Sequence, residues 1–148
     1  MAIVSILLNL ALAFWVGGVA LFTFVLTPIL FHTQPRDLAG KIVGVLFPGY
    51  FYWGLGCGAV SLLCLLLQRG RYFFPALVLL ALMLSATAFQ SFYIEPRAAA
   101  LKQQIGSFEN TSKDHPLRKE FSKLHGISAA CNLAVFVGGV ALLILRQR

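Results

Sequence analysis

Acidic residues are scarce. The chain has five Asp and Glu in 148 residues, and charged residues of either sign make up 11%. A soluble domain carries about a quarter charged residues, so this chain has too few to clothe a water-borne surface. The acids are Asp37, Glu95, Glu109, Asp114 and Glu120, and none lies within a long apolar run. That removes the paired carboxylates used for acid–base catalysis. HExxH, the P-loop, GxSxG and GxGxxG are also missing, so the common metallopeptidase, nucleotide-hydrolase, serine-hydrolase and dinucleotide-binding signatures have no foothold. No catalytic residue is assigned, and the chain reads as a non-enzyme. Cysteine is sparse too. Cys57, Cys64 and Cys131 form no CxxC and are odd in number, so no disulfide framework is implied. Cys57 and Cys64 are seven apart on one face, which suggests a soft-metal thiolate site, but small apolar packers are the plainer reading.

What the chain has is hydrophobic length. Apolar residues reach 59% and mean hydropathy is +0.82. A transmembrane helix needs ~20 apolar residues to cross ~30 Å of hydrocarbon. Four stretches qualify, at about 3–31, 43–68, 72–94 and 124–145. Backbone groups must be satisfied internally in lipid, so these are helices rather than open strands. The expected fold is all-α: a single four-helix transmembrane domain over 1–148, in a membrane, multi-pass, and in the cell inner membrane if the source is a bacterium. The first run has no preceding Lys or Arg and no A-x-A site near its end, so it reads as a retained span rather than a signal peptide. The formal charge is +7. The cations sit between and after the apolar runs, as flanks facing a lipid bilayer; no nucleic-acid partner is expected.

The connections differ. Residues 32–41 are a short loop and QRGR at 68–71 is a tight turn. Residues 95–123 are the one sizeable polar loop. Its start, EPRAAALKQQ, should prolong the third helix, and Gly106 with the following polar residues should end it. Asp114-His115-Pro116 then marks a helix start, so the fourth helix should begin in water near Pro116 and run into the membrane. Pro28 should kink the first helix. Pro48 should either kink the second or leave residues 36–47 as a separate interfacial helix. Gly17, Gly18, Gly54, Gly58, Gly138 and Gly139, with the Gly40/Gly44 pair, are the expected places of close helix packing. Loops one and three carry eight cations against four (Arg69, Arg71, Arg146, Arg148) on the other face. The count favours loops one and three in the cytoplasm, while the lack of acids beside the four pulls the other way.

Polar groups inside a membrane are functional candidates. Here they gather at the end beneath loops one and three. The third helix brings Gln90, Ser91, Tyr93, Glu95 and Arg97; Ser91 shares a face with Glu95, and Gln90 with Arg97, by their spacing. The fourth brings His125, Ser128 and Asn132, on one face by their spacing, the second Tyr50, Tyr52 and Trp53, and the first Thr23 and Thr27. The opposite end offers almost none. Two readings stay open: interhelical hydrogen-bond glue, or a small binding pocket. His125 should face the bundle and hydrogen-bond to the third or first helix, with Glu95 at the same depth.

FWVGGVALFTFVLTPILF in the first helix and FSKLHGISAACNLAVFVGG in the fourth resemble the small membrane family typified by transmembrane protein 205, known in bacteria as a domain of unknown function. The likeness runs over essentially the whole chain. It implies a four-helix membrane bundle with no established activity, and marks Trp15, Gly17, Gly18, Pro28, Pro96, Arg97, His125, Ser128 and Asn132 as motif positions. A more distant likeness is to copper resistance protein D and the J-type protoporphyrinogen oxidase, which share a Trp-x-Gly-Gly-like first helix. Where those families usually carry a histidine ahead of the Trp, this chain reads Leu8-Asn9, so haem or copper ligation does not carry over. No cofactor is assigned. The leading expectation is a small-solute or metal-related transport component or a membrane accessory subunit, as a homo-oligomer or with a membrane-complex partner. The alternatives are a membrane redox or haem/metal-binding protein and a helix-packing scaffold.

Overall fold

Prolines decide where these helices change pitch. In the computed structural model, which describes residues 2–146, α1 (Ala2–Thr33) winds into a π segment at Leu21–Leu26 just before Pro28. The Thr27 N–H reaches back five residues to the Phe22 carbonyl. Widening the helix there accommodates the ring and missing donor of proline without breaking the rod. α3 (Phe73–Ile105) repeats the device. Its π segment Gln90–Ile94 precedes Pro96, and the Glu95 N–H bonds to the Gln90 carbonyl. α2 (Arg36–Leu67) instead runs through Pro48 as one helix, so residues 36–47 are not a separate interfacial element. α4 (Pro116–Leu145) starts where the sequence places it, with His115 as the N-cap accepting from the Leu117 N–H. Gly106 ends α3 at φ +71°, a backbone state that suits glycine. All four helices are long and apolar enough to cross a membrane, and no strand occurs among the described residues. Arg148, counted above with the tail cations, lies outside the described residues.

The helices run up, down, up and down, each packed on its sequence neighbour, with α1 closing on α4. The core stripe on α1 is Leu8, Leu12, Trp15 and Val19, at helical spacing. Leu80 and Met83 of α3, Leu65 of α2, and Val135 and Leu142 of α4 meet it. Trp15 is the central knob. A Cβ added to Gly54 would lie 2.9 Å from its Nε1, and one added to Gly58 would meet the Leu84 side chain first and lie 2.8 Å from the six-membered ring of Trp15. These two glycines therefore form the socket for an indole rather than a backbone-to-backbone contact. Gly139 receives Val16, Gly138 lies against Met83, and Gly18 against Trp53. Gly17 is the exception among the expected packing glycines. It faces outward with nothing near it, because it sits two residues, about 200°, round the helix from Trp15. Gly40 and Gly44 also differ from expectation: the Lys102 side chain lies across them and donates to the Gly40 carbonyl.

A second, smaller core of Ile94, Leu101 and Leu124 holds the outer parts of α3 and α4 together. Loop three folds back on the start of α2. Asp37 accepts from the Ser107 hydroxyl at 2.6 Å and the Phe108 N–H at 2.7 Å. Glu109 accepts from the Arg36 N–H at 3.0 Å. Buried Arg118 donates to the Phe108 and Thr111 carbonyls. Asp37→Ala removes the main acceptor of this clasp. Trypsin cleavage at Lys113 of the folded protein should then run roughly fivefold faster, by local opening; an unchanged rate would show that the clasp is not what holds the loop.

Candidate functional site

The polar residues of the loop-one and loop-three end divide into an inner layer and an outer groove. In the inner layer the Ser128 hydroxyl donates to the Gln90 side-chain oxygen at 2.8 Å, both buried. The Tyr50 hydroxyl donates to the Asn132 oxygen at 3.1 Å. The Asn132 amide donates to the Thr23 hydroxyl at 3.5 Å. All four helices thus contribute, and each of these five side chains meets a partner, as a low-dielectric interior demands. The layer rests on an aromatic floor in which Phe22 stacks on Tyr50 at 4.3 Å and Phe47 on Phe51 at 5.4 Å. Beyond it lies the Trp15 core.

The groove lies further out, between the first three turns of α2 and the outer arms of α3 and α4. Its volume is about 620 Å³. Arg36, Lys41, Lys102 and Arg118 stand along its outer rim, Glu95 and His125 deeper, and Phe47, Ile94 and Ser128 deepest. Ser128 therefore belongs to both groove and inner layer.

The structure brings Gln90, Ser128, Asn132 and Tyr50 together and leaves others apart. Gln90 and Arg97 do not share a face. The π segment inserts an extra residue between them, which turns their seven-residue spacing off register; Gln90 is buried and Arg97 exposed. Arg97 instead donates to the Tyr93 hydroxyl and pairs with Glu120 at 3.8 Å. Tyr52 and Tyr93 point outward, and Ser91 is half-buried outside the inner layer. His125 does not hydrogen-bond to the first or third helix. It stacks on Phe121 one turn back, with ring centroids 6.3 Å apart, and looks into the groove with Glu95. The buried stripe of α4 passes through Leu124, Ser128 and Val135, leaving His125 about 100° off it.

Thr23 is legible in the sequence as the first helix's contribution to this polar end, but nothing local says that Asn132 reaches it. The opposite end is also not bare: Arg146 donates to Asn9 at 3.0 Å, Ser5 at 3.3 Å and Gln68 at 3.5 Å. Each of these is unremarkable alone, and only the antiparallel pairing of the termini unites them. Asn9 is thus a partner of Arg146. No group of three His, Cys, Asp or Glu converges among the described residues, so Cys57, Cys64 and Cys131 do not assemble a thiolate cluster there.

Comparison with known proteins gives a family match and similar proteins. The family model described as a domain of unknown function, DUF4149, matches residues 10–107. An uncharacterized protein of Aquifex aeolicus (strain VF5) is 32% identical over 139 residues, covering 92% of this chain and 93% of its own length. No solved structure matches significantly. The family model takes in Thr23, Tyr50 and Gln90, and the relative's span is long enough to include most of α4 as well. The chain belongs to the DUF4149 family.

Proposed function

We propose that this chain is a non-catalytic, multi-pass integral membrane protein that holds a small ligand at its loop-one and loop-three end, as a transport component or as the accessory subunit of a membrane complex. The observation that supports it is the dual position of Ser128. Through it the groove communicates with a polar layer that reaches all four helices. That layer stops at the tightly filled core of Trp15, Leu80 and Leu142. One copy therefore offers a vestibule and no polar path across, which suits a binding subunit, or transport completed by a second copy or a partner. The fold typified by transmembrane protein 205 and residence in an inner membrane fit the same reading.

A photo-reactive amino acid at Phe121, in the groove, and at Phe74, exposed at the far end, tests it in native membranes. At Phe121 the cross-linked species should be enriched in one ligand or partner relative to bulk lipid. The same species in the same proportions at both positions would overturn the reading.

A further inference from the structure

We propose that the groove is a site for an anionic phospholipid, with the phosphate at its outer rim and the acyl chains leaving along α2. This rests on the reading that this end of the bundle holds a ligand, and it names that ligand's class.

Charge comes first. Four cations line the groove, Arg36, Lys41, Lys102 and Arg118, against one carboxylate, Glu95. Two of the cations are already engaged, Lys102 with the Gly40 carbonyl and Arg118 with the Phe108 and Thr111 carbonyls. The side chains of Arg36 and Lys41 are exposed and have no hydrogen bond or ion pair among the described residues. Of the nearby acids, Asp37 has its carboxylate taken up by Ser107 and the Phe108 N–H, and Glu109 accepts from the Arg36 N–H, so the four cations still outnumber the acids around them. The rim thus offers free donors and a positive field to a phosphate.

Shape comes second. Along α2 the lining passes from Arg36 and Lys41 to Val43, Val45 and Phe47 within three turns, while α3 passes from Lys102 to Ile94 and α4 from Arg118 to Phe121. A charged rim over a throat that is apolar along α2, with Glu95 and His125 on the facing arms of α3 and α4, fits an amphipathic anion rather than free phosphate. About 620 Å³ lies within the usual range of ~300–1,000 Å³ for small-molecule sites. The throat is also open to the side. Val45 is 74% exposed, and Leu46, Tyr52 and Trp53 continue its apolar surface down the outside of α2. A soluble ligand has no need of that exit, and a lipid chain has.

Native mass spectrometry of the purified full chain, given equal amounts of phosphatidylglycerol and phosphatidylcholine with matched chains, decides the matter. Phosphatidylglycerol should be retained over phosphatidylcholine by roughly fivefold or more, as expected where several surface cations attract one phosphate. R36Q with K41Q should bring the ratio close to one, and R69Q with R71Q, at the far end, should leave it unchanged. K102Q serves as the second variant and should lower the ratio in protein that elutes as wild type. Excess inorganic phosphate should not displace the lipid. A wild-type ratio below two, an equal fall in the R69Q/R71Q protein, or displacement by phosphate alone would overturn the proposal. A distinct non-lipid species cross-linked at Phe121, with no phosphatidylglycerol preference, would sink the lipid assignment and leave the binding reading standing.

Discussion

Trp15→Ala should cost about 3 kcal/mol of stability, the largest loss expected from any single truncation in this chain. The indole is 1% exposed and fills the socket formed by Gly54 and Gly58 on α2, with Leu80 and Val135 in the same core. Truncating a buried Trp costs ~3–5 kcal/mol in soluble cores. Lipid is as apolar as the core, so the transfer part of that cost is small and lost packing dominates, which places the value at the lower end. The socket adds a sign test. Gly54→Ala should itself cost about 1–3 kcal/mol, because the new methyl meets the indole more closely than any other group. In the Trp15→Ala background the same change should cost far less, since the methyl then enters the vacated space. The check is a double-mutant cycle on detergent-solubilised protein unfolded reversibly in SDS. Losses that add to within ~0.5 kcal/mol would show that Trp15 and Gly54 are not knob and socket.

How much of this the sequence could announce depended on the range of the signal. Hydrophobic length and loop polarity are local, so the four helices, the outward run of α3 through EPRAAALKQQ and the start of α4 at Pro116 were all legible. Ser128 and Asn132 were legible as inward polar residues from their helical spacing, although the same spacing put His125 on that face, and the structure turns it away from the buried stripe. Register across a π segment was not. Pro96 signals a disturbance, but nothing local says that the extra residue falls at Gln90–Ile94 and turns Arg97 away from Gln90. Glycine pairs were ambiguous for a similar reason. The same spacing serves an indole at Gly54 and Gly58, a lysine side chain at Gly40 and Gly44, and only the helix exterior at Gly17. The Asp37 clasp and the Arg146 cluster join residues about 70 and more than 130 positions apart, and such pairs leave no periodic trace.

The second large effect is all-or-none and bears on the central reading, that the four helices cross a bilayer in alternate directions. If they do, loops one and three share one side, and the turn at 68–72 and the C-terminal end share the other. The most direct measurement is labelling of single cysteines by a membrane-impermeant maleimide in intact cells and in opened membranes. The background would have Cys57, Cys64 and Cys131 replaced by alanine. Thr33→Cys and Asn110→Cys should behave alike and Gly70→Cys oppositely, one set being labelled in intact cells and the other only once the membranes are opened. Either absolute orientation satisfies the reading. Labelling of Gly70→Cys and Asn110→Cys from the same side, or free labelling of all three in intact cells, would contradict it.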